Sequence, residues 1–381
     1  MTRAAAWLLL FLLLAPFAAR AQDSSDPPLI VESFECRGNV TTSCKFILGQ
    51  LYLAEGDPVD EEEIQNAKLR LQWLRNFESV SIYLEKGTQR GRARLVIEVV
   101  EARSVMQELG AGLLWQFSSV THVVTGQWTD YNLFGNGKVL DLTTGLMLPL
   151  NGQNYRQGLV RVSYIDPHLF DTKRNFLSTN ISYLDYDVDK NNGDIIDIEQ
   201  AAIDFTFGRR LWDFSFVTAG YQYRPISNRF WSIRQDDGLF ESREEHGRSS
   251  LILGYGWNSE DSQYFPTRGS ALQLTVASDY GRENGDAALT YRNTWSTSGG
   301  NVWMVGFAAP HSHAVQFEHT LKPSGDIRRA RAFARLTVDK FGRDYQGDDI
   351  WSAGVHLGVR FDSRSLGIVT FYVFGAAELK P

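Results

Sequence analysis

From Arg248 to Gly281 the chain alternates apolar and polar positions with a period of two. Leu251, Leu253, Tyr255 and Trp257 share one face, and Ser250, Ile252, Gly254 and Gly256 share the other. After Tyr264-Phe265-Pro266-Thr267-Arg268-Gly269, Leu272, Leu274 and Val276 alternate with Gln273, Thr275 and Ala277. Such alternation predicts strands with one apolar face and one small or polar face. The pattern recurs after residue 105 in about fifteen segments: 106–117, 120–133, 138–149, 156–169, 175–188, 195–210, 213–225, 249–257, 270–280, 287–296, 301–308, 314–322, 329–340, 351–361 and 367–378. Most are long enough to cross a bilayer when tilted, whereas strands of soluble sandwiches are usually nearer five or six residues. Leu140, Leu142, Leu146 and Leu148 oppose Asp141 and Thr143, and Ile203, Phe205 and Phe207 oppose Asp204 and Thr206. Apolar-out, polar-in strands predict an all-β transmembrane antiparallel barrel of about 14–16 strands, closed so that no edge is left unpaired in lipid.

Residues 29–101 follow a different pattern, read as β-α-α-β-β. A short strand ends at Cys36-Arg37-Gly38-Asn39, and Ser43 can cap a short helix running to Leu51. Asp60 can cap a second helix running to Arg75, with Glu63 at the capping-box position. Ile64, Ala67, Leu71 and Leu74 keep the helical spacing of a core face. Residues 77–84 and 93–100 then alternate as a hairpin across Gly87–Gly91.

Composition narrows the picture. Aromatic residues make up 13% and there are 33 glycines, a mix suited to many strands and tight turns. Lysine and arginine total 38 against 45 acidic residues, without a long basic tract, which argues against nucleic acid as a partner. Residues 1–21 read as a secretory signal, with Arg3, an apolar stretch from Ala4 to Phe17 and a small-x-small site at Ala19-Arg20-Ala21; an uncleaved anchor is the alternative. Residues 22–28 read as a polar linker. In an exported chain Cys36 and Cys44 read as a disulfide, and a metal site would need further soft ligands that are not nearby.

Beyond the strand pattern, Phe265-Pro266-Thr267-Arg268-Gly269-Ser270-x-Leu272 resembles a motif of the bacterial outer-membrane assembly-factor superfamily, POTRA-plus-barrel proteins of the BamA and TamA kind. Asn132-Leu133-Phe134-Gly135-Asn136-Gly137 resembles that family's Asn-Leu-x-Gly-x-Gly hairpin, and Tyr164-Ile165-Asp166-Pro167-His168-Leu169-Phe170 resembles a strand end of it. Gly354-Val355-x-Leu357-Gly358-Val359-Arg360-Phe361 resembles a strand near its C-terminus. The resemblance implies a single POTRA domain at 29–102 in the periplasm and an outer-membrane barrel at 103–381. It further implies partners in the form of unfolded outer-membrane or secreted polypeptides, the lipid bilayer, and periplasmic or lipoprotein accessory subunits. In the family, POTRA domains add client strands to a sheet edge, and the junction of first and last strands acts as a lateral gate.

Two departures stand out. The family's sixth outer loop carries Val-Arg-Gly-aromatic, whose arginine reaches a wall acid in the lumen; here only Ala309-Pro310-His311-Ser312-His313 follows the corresponding strand. The family's last strand has no counterpart before Pro381. An antiparallel barrel entered from the periplasm is expected to have an even strand count, so the odd count predicts either a miscounted strand or loss of the closing one.

Arg268 is the first candidate for a mechanistic role, with headgroup binding as the alternative. Arg331 and Arg335 share a face with Thr337 and read as lumen charges, opposite Ala332, Ala334 and Leu336. His311-x-His313 and the Asp187, Asp189, Asn191, Asp194 run read as solvated loops rather than metal sites: in the second, Gly193 is one place late and Ile198 stands where a calcium loop has glutamate. No nucleophile elbow, phosphate loop or zinc-protease helix occurs, so neither an enzyme activity nor a cofactor is expected. The expected function is assembly or translocation of β-rich polypeptides; the alternative is a passive pore or structural barrel. A surface antigen would need long outer loops, and only 227–245 has the length.

Overall fold

The computed structural model describes residues 28–74, 76–116, 119–149, 157–189, 194–212, 214–234, 238–262, 265–279, 286–309, 312–343 and 349–379. The stretch expected to be an export signal, nearly all of the expected linker, Tyr264, His311 and the Asn191–Gly193 part of the acidic run lie outside the described residues.

The N-terminal unit is a three-stranded sheet with two helices: β1 (Ile30–Arg37), α1 (Cys44–Gly49), α2 (Glu61–Trp73), β2 (Phe77–Lys86) and β3 (Arg92–Glu101). β3 is central, parallel to β1 and antiparallel to β2. Ser43 caps α1 by accepting the Phe46 N–H at 3.3 Å, and Asp60 caps α2 by accepting the Glu62 and Glu63 N–H groups. Glu63 does not complete a capping box. Its carboxylate turns to the Tyr52 N–H and to the buried Arg70, because a buried guanidinium competes more strongly for it than the exposed helix start. Ile64, Ala67 and Leu71 present one face of α2 to Val31, Ile47, Leu95 and Ile97, which form the core. Cys36 and Cys44 are bonded, with Cα atoms 5.8 Å apart, and join β1 to α1.

Fifteen strands follow among the described residues. They are β4 (Val105–Gln116), β5 (Ser119–Leu133), β6 (Lys138–Pro149), β7 (Gln157–Asp166), β8 (Asn175–Asp189), β9 (Asp194–Arg210), β10 (Ser215–Arg234) and β11 (Gly238–Asn258). Next come β12 (Gly269–Asp279), β13 (Asp286–Thr297), β14 (Asn301–Ala309), β15 (Ser312–Leu321), β16 (Ile327–Arg343), β17 (Asp349–Ser363) and β18 (Gly367–Leu379). Together they form a closed barrel in chain order. Leu142, Phe205, Leu253 and Leu336 stand 45%, 54%, 62% and 57% exposed on the outside, whereas Asp141, Thr129, Glu318 and Thr337 are buried on the inside. An outer surface this apolar on a closed barrel is a lipid surface.

Closure corrects the expectation of an even count: the barrel closes with fifteen strands among the described residues. β18 pairs directly with β4, and the pairing is parallel, running from Ile368↔Met106 to Ala377↔Trp115. Consecutive antiparallel strands in odd number leave the first and last pointing the same way, so the joint that closes the barrel is parallel. The structure also corrects 227–245 as an outer loop: β10 and β11 pair continuously from Ser215↔Trp257 to Arg234↔Gly238, so the stretch extends a hairpin. Residues 167–169 leave the predicted strand, because the chain turns at Pro167 into a short 3-10 turn at Leu169–Asp171.

The facing of β12 can be tested with neighbouring substitutions. Leu274→Arg puts a charge on the outer face and is expected to lower stability by about 2–4 kcal/mol if it lies near the bilayer midplane. Gln273→Arg, on the lumen face, is expected to be near neutral. Urea titration of refolding into phospholipid vesicles separates the two.

Candidate functional site: the barrel mouth and the parallel seam

Three of the motif segments lie at the barrel end nearest the α+β domain, here called the proximal mouth. In the β5–β6 turn, Gly135 and Gly137 adopt φ of 71° and 64°. A Cβ on Gly137 would lie 2.0 Å from the Phe46 ring, and one on Gly135 would lie 2.2 Å from the Thr41 carbonyl oxygen. The glycines therefore let α1 sit directly on the turn. Ser43 N–H donates to the Gly135 carbonyl at 2.7 Å, and Asn132 Nδ2 donates to Thr42 Oγ1 at 2.9 Å.

The β7–β8 turn supports the same helix. Asp166 accepts the His168 N–H at 3.0 Å and pairs with Lys138 at 3.0 Å. His168 packs against Phe46, with ring centroids 5.4 Å apart, and its Nε2 lies 3.1 Å from Gln50 Nε2. An amide N–H must donate there, so that ring nitrogen is unprotonated. Burial and the nearby Arg210 guanidinium hold the His168 pKa down at about 4. Lys45–Asp171 and Lys173 to the Leu53 carbonyl complete the contact.

The third segment, the β11–β12 connection, enters the mouth. Asp261 organises it by accepting the Thr267 N–H at 2.8 Å, the Thr267 hydroxyl and the Arg268 N–H. Glu260 is buried against the wall by Arg292 and Thr294. Phe265, 3% exposed, packs on Met106 and Ile368 with Tyr131 alongside. Met106 and Ile368 are the first pair of the β4–β18 joint. Phe265 therefore caps the proximal end of the seam.

Arg331 fixes that cap. Its Nη1 donates to the Pro266 carbonyl at 2.9 Å and to Glu318 at 2.8 Å, its Nη2 reaches the Phe265 carbonyl at 3.4 Å, and its guanidinium lies 5.5 Å from the Phe265 ring centroid. Glu318 is 1% exposed and is also approached by Gln316 and Arg360. Beside it Asp362, also 1% exposed, binds Arg328 and Arg329. Arg328 extends from Asp362 to Glu78 on β2, joining wall to domain. Arg335 lies on the same lumen face as Arg331 and lines a separate cavity of about 360 Å³ with Arg292 and Arg360. Arg268 is exposed and lines the cleft between the loop and β2, beside Glu78 and Arg329.

The seam has its own brace. Tyr372 of β18 lies across Gly110 of β4 and meets Thr125 of β5, oxygen to oxygen, at 2.8 Å. A Cβ on Gly110 would lie 2.2 Å from the Tyr372 ring, so only glycine admits the crossing. Phe374 covers Gly112 in the same way and stacks on His356 at 5.3 Å.

Glu318, Asp362, Glu260 and Tyr372 are not singled out by motif. The available signal is a lone acid on the inward face of a strand whose other face is apolar, as with Glu318 between Phe317 and His319. The partner that makes it a site comes from another strand.

A closed barrel with a lipid-type exterior, a loop fastened in its lumen and an α+β domain seated on its mouth defines a membrane β-barrel protein. The Omp85 superfamily domain matches residues 132–377, and the chain belongs to that superfamily. It is thus an outer-membrane β-barrel protein with a general role in assembly or translocation. Its fold is similar to BamA from Haemophilus ducreyi lacking POTRA domains 1–3, at TM-score 0.50 and 15% identity over 94% of this chain and 82% of that one. It is also similar to CdiB from Acinetobacter baumannii (TM-score 0.54, 13% identity, 89% of this chain and 68% of that one). CdiB from Escherichia coli gives TM-score 0.57 and 12% identity over 88% of this chain and 70% of that one.

Two outcomes are expected. Arg331→Met leaves Glu318 buried without its closest cation and is expected to cost about 3–5 kcal/mol, read by urea titration. It should also raise hydrogen exchange in residues 265–269. Adding Glu318→Gln should recover much of the stability but not the protection of the loop.

His168 has a folded pKa near 4 against an ordinary 6.5. The unfolded or undocked form therefore binds more protons between those values. The contribution is complete above about pH 6.5 and is lost as pH falls toward 4, on the order of 2–3 kcal/mol. Spin labels on Gln65 and Ser324 should show broadened distances at pH 5, and His168→Gln should flatten that dependence.

Proposed function

We propose that this protein assists the insertion or translocation of β-rich polypeptides, with the β4–β18 seam as the gate. Residues 1–21 serve as an export signal and 22–28 as a linker. Residues 29–102 act as a POTRA domain on the periplasmic side, and residues 103–381 form the barrel.

The observation that carries this reading is the seam. Among the described residues it is the single parallel joint of the barrel, and parallel pairing is slightly weaker per residue than antiparallel. β4 and β18 point the same way, so a strand entering between them in the opposite direction pairs antiparallel with both. Insertion thus replaces one parallel joint with two antiparallel ones, and no cofactor is needed because strand pairing and lipid burial supply the driving force.

In the domain, the start of β1 is covered: Val31 exchanges hydrogen bonds with Gly56 and Asp57, and Ile30 bridges Pro58. Among the described residues β2 pairs only with β3, which leaves its outer edge for an extended client. That edge begins beside Glu78, the residue held by Arg328 at the mouth. The loop fastened at Phe265 and the seated domain weigh against a freely conducting pore.

Cysteines at Ala111 and Val373, paired across the seam, test the gate. In liposomes, cross-linked A111C/V373C should slow client-barrel folding to the rate of empty liposomes, and reduction should restore it. Wild type in the same reductant controls for Cys36–Cys44, and L272C/Y291C controls for cross-linking elsewhere in the wall. Undiminished acceleration with the seam cross-linked would rule out the gate.

A further inference from the structure

A second feature of the mouth lies away from the seam. Below the C-terminal end of α2, a cavity of about 360 Å³ separates the domain from the inner wall at β8–β10. Tyr52, Trp73, Leu74, Phe176, Phe214 and Phe216 make it largely apolar. Phe176 and Phe216 meet edge to face, with centroids 5.7 Å apart, and give it a rigid aromatic wall. The volume is within the range of small-molecule sites.

Two cations face this apolar space, and they are not equivalent. Arg70 is matched by Glu63 and donates to the Gln50 carbonyl at 2.8 Å. Arg210 donates from Nη1 to the carbonyls of Pro167 and Lys173, at 2.9 and 3.4 Å, and its guanidinium lies 5.4 Å from the Phe176 ring centroid. Among the described residues no carboxylate lies within ion-pair distance of it. An arginine stays protonated, and a charge in apolar surroundings without a counter-charge is costly. The Trp73 indole N–H, also on the wall, is buried without an acceptor.

An apolar chamber with an unmatched guanidinium and a spare donor fits a molecule with an apolar body and one anionic head. We infer that this cavity binds a small amphiphilic monocarboxylate, its carboxylate on Arg210 and its chain among the aromatic side chains. At roughly 30 Å³ per water-sized group, the space takes about a dozen heavy atoms, the size of a medium-chain fatty acid. The site is distinct from the seam, and its occupancy does not depend on client insertion.

The test uses the full chain in nanodiscs with a photoactivatable diazirine analogue of decanoate, at pH 8. Labelling should saturate and map to peptides containing Trp73, Phe176 or Phe216. Unlabelled decanoate should compete at least tenfold better than decanol, which has the same chain and no charge. Arg210→Met should abolish that preference, with heat-modifiable gel mobility confirming that the variant folds. If the variant does not fold, the decanoate-to-decanol ratio on the wild-type protein decides alone. Labelling confined to outward-facing residues, absence of saturation, or equal competition by decanol would overturn the inference.

Discussion

Lipid offers no hydrogen bonds, and that constraint shapes this protein more than any single contact. Each peptide group in the wall must find a partner in the neighbouring strand, so the sheet has to close. With fifteen strands it closes only by setting β18 parallel to β4. Among the described residues the remaining fourteen joints are antiparallel pairs of strands consecutive in the chain. The seam has neither the stronger pairing pattern nor a turn, and the aromatic side chains crossing Gly110 and Gly112 brace it instead.

The mouth is coupled to that joint through a short physical path. Glu318 holds Arg331, Arg331 holds the carbonyls of Phe265 and Pro266, and Phe265 rests on the first residue pair of the seam. A buried ion pair of this kind adds little net stability, because desolvation offsets most of the attraction. Its effect is geometric: a bidentate cation beside two carbonyls admits one loop position. The domain enters the same network through Arg328, which binds Asp362 on the wall and Glu78 on β2. In a chain whose 309–313 stretch holds no Arg-Gly-aromatic lock, the lumen acid is satisfied from within the wall.

Much of the fold is legible in the sequence, because period-two alternation in a membrane barrel is enforced by lipid on one side. Leu140, Leu142, Phe205 and Leu253 announce their facing without any knowledge of neighbours. The domain is legible for similar reasons, through the spacing of Ile64, Ala67 and Leu71 and the caps at Ser43 and Asp60. What escapes is whatever depends on pairing at a distance. Whether an odd set of strands closes is decided where Ile368 meets Met106, far apart in the chain. The extension of β10 and β11 is hidden because the 227–245 stretch is rich in charge, which reads as loop, whereas backbone pairing across the hairpin decides it. The mouth residues show the same limit: Gly137 reads as a turn glycine, and only the structure shows Phe46 packed against it.

The odd count also has a topological consequence. A chain that crosses a membrane an even number of times returns to the side from which it set out, and its two flanks share one compartment. The fifteen strands among the described residues begin at one rim and end at the other. The strand that begins at Gly367 rises beside the one that begins at Val105 and finishes at the opposite rim. Tags placed beside Ala377 on β18 and on β1 of the α+β domain would therefore lie at opposite ends of the barrel.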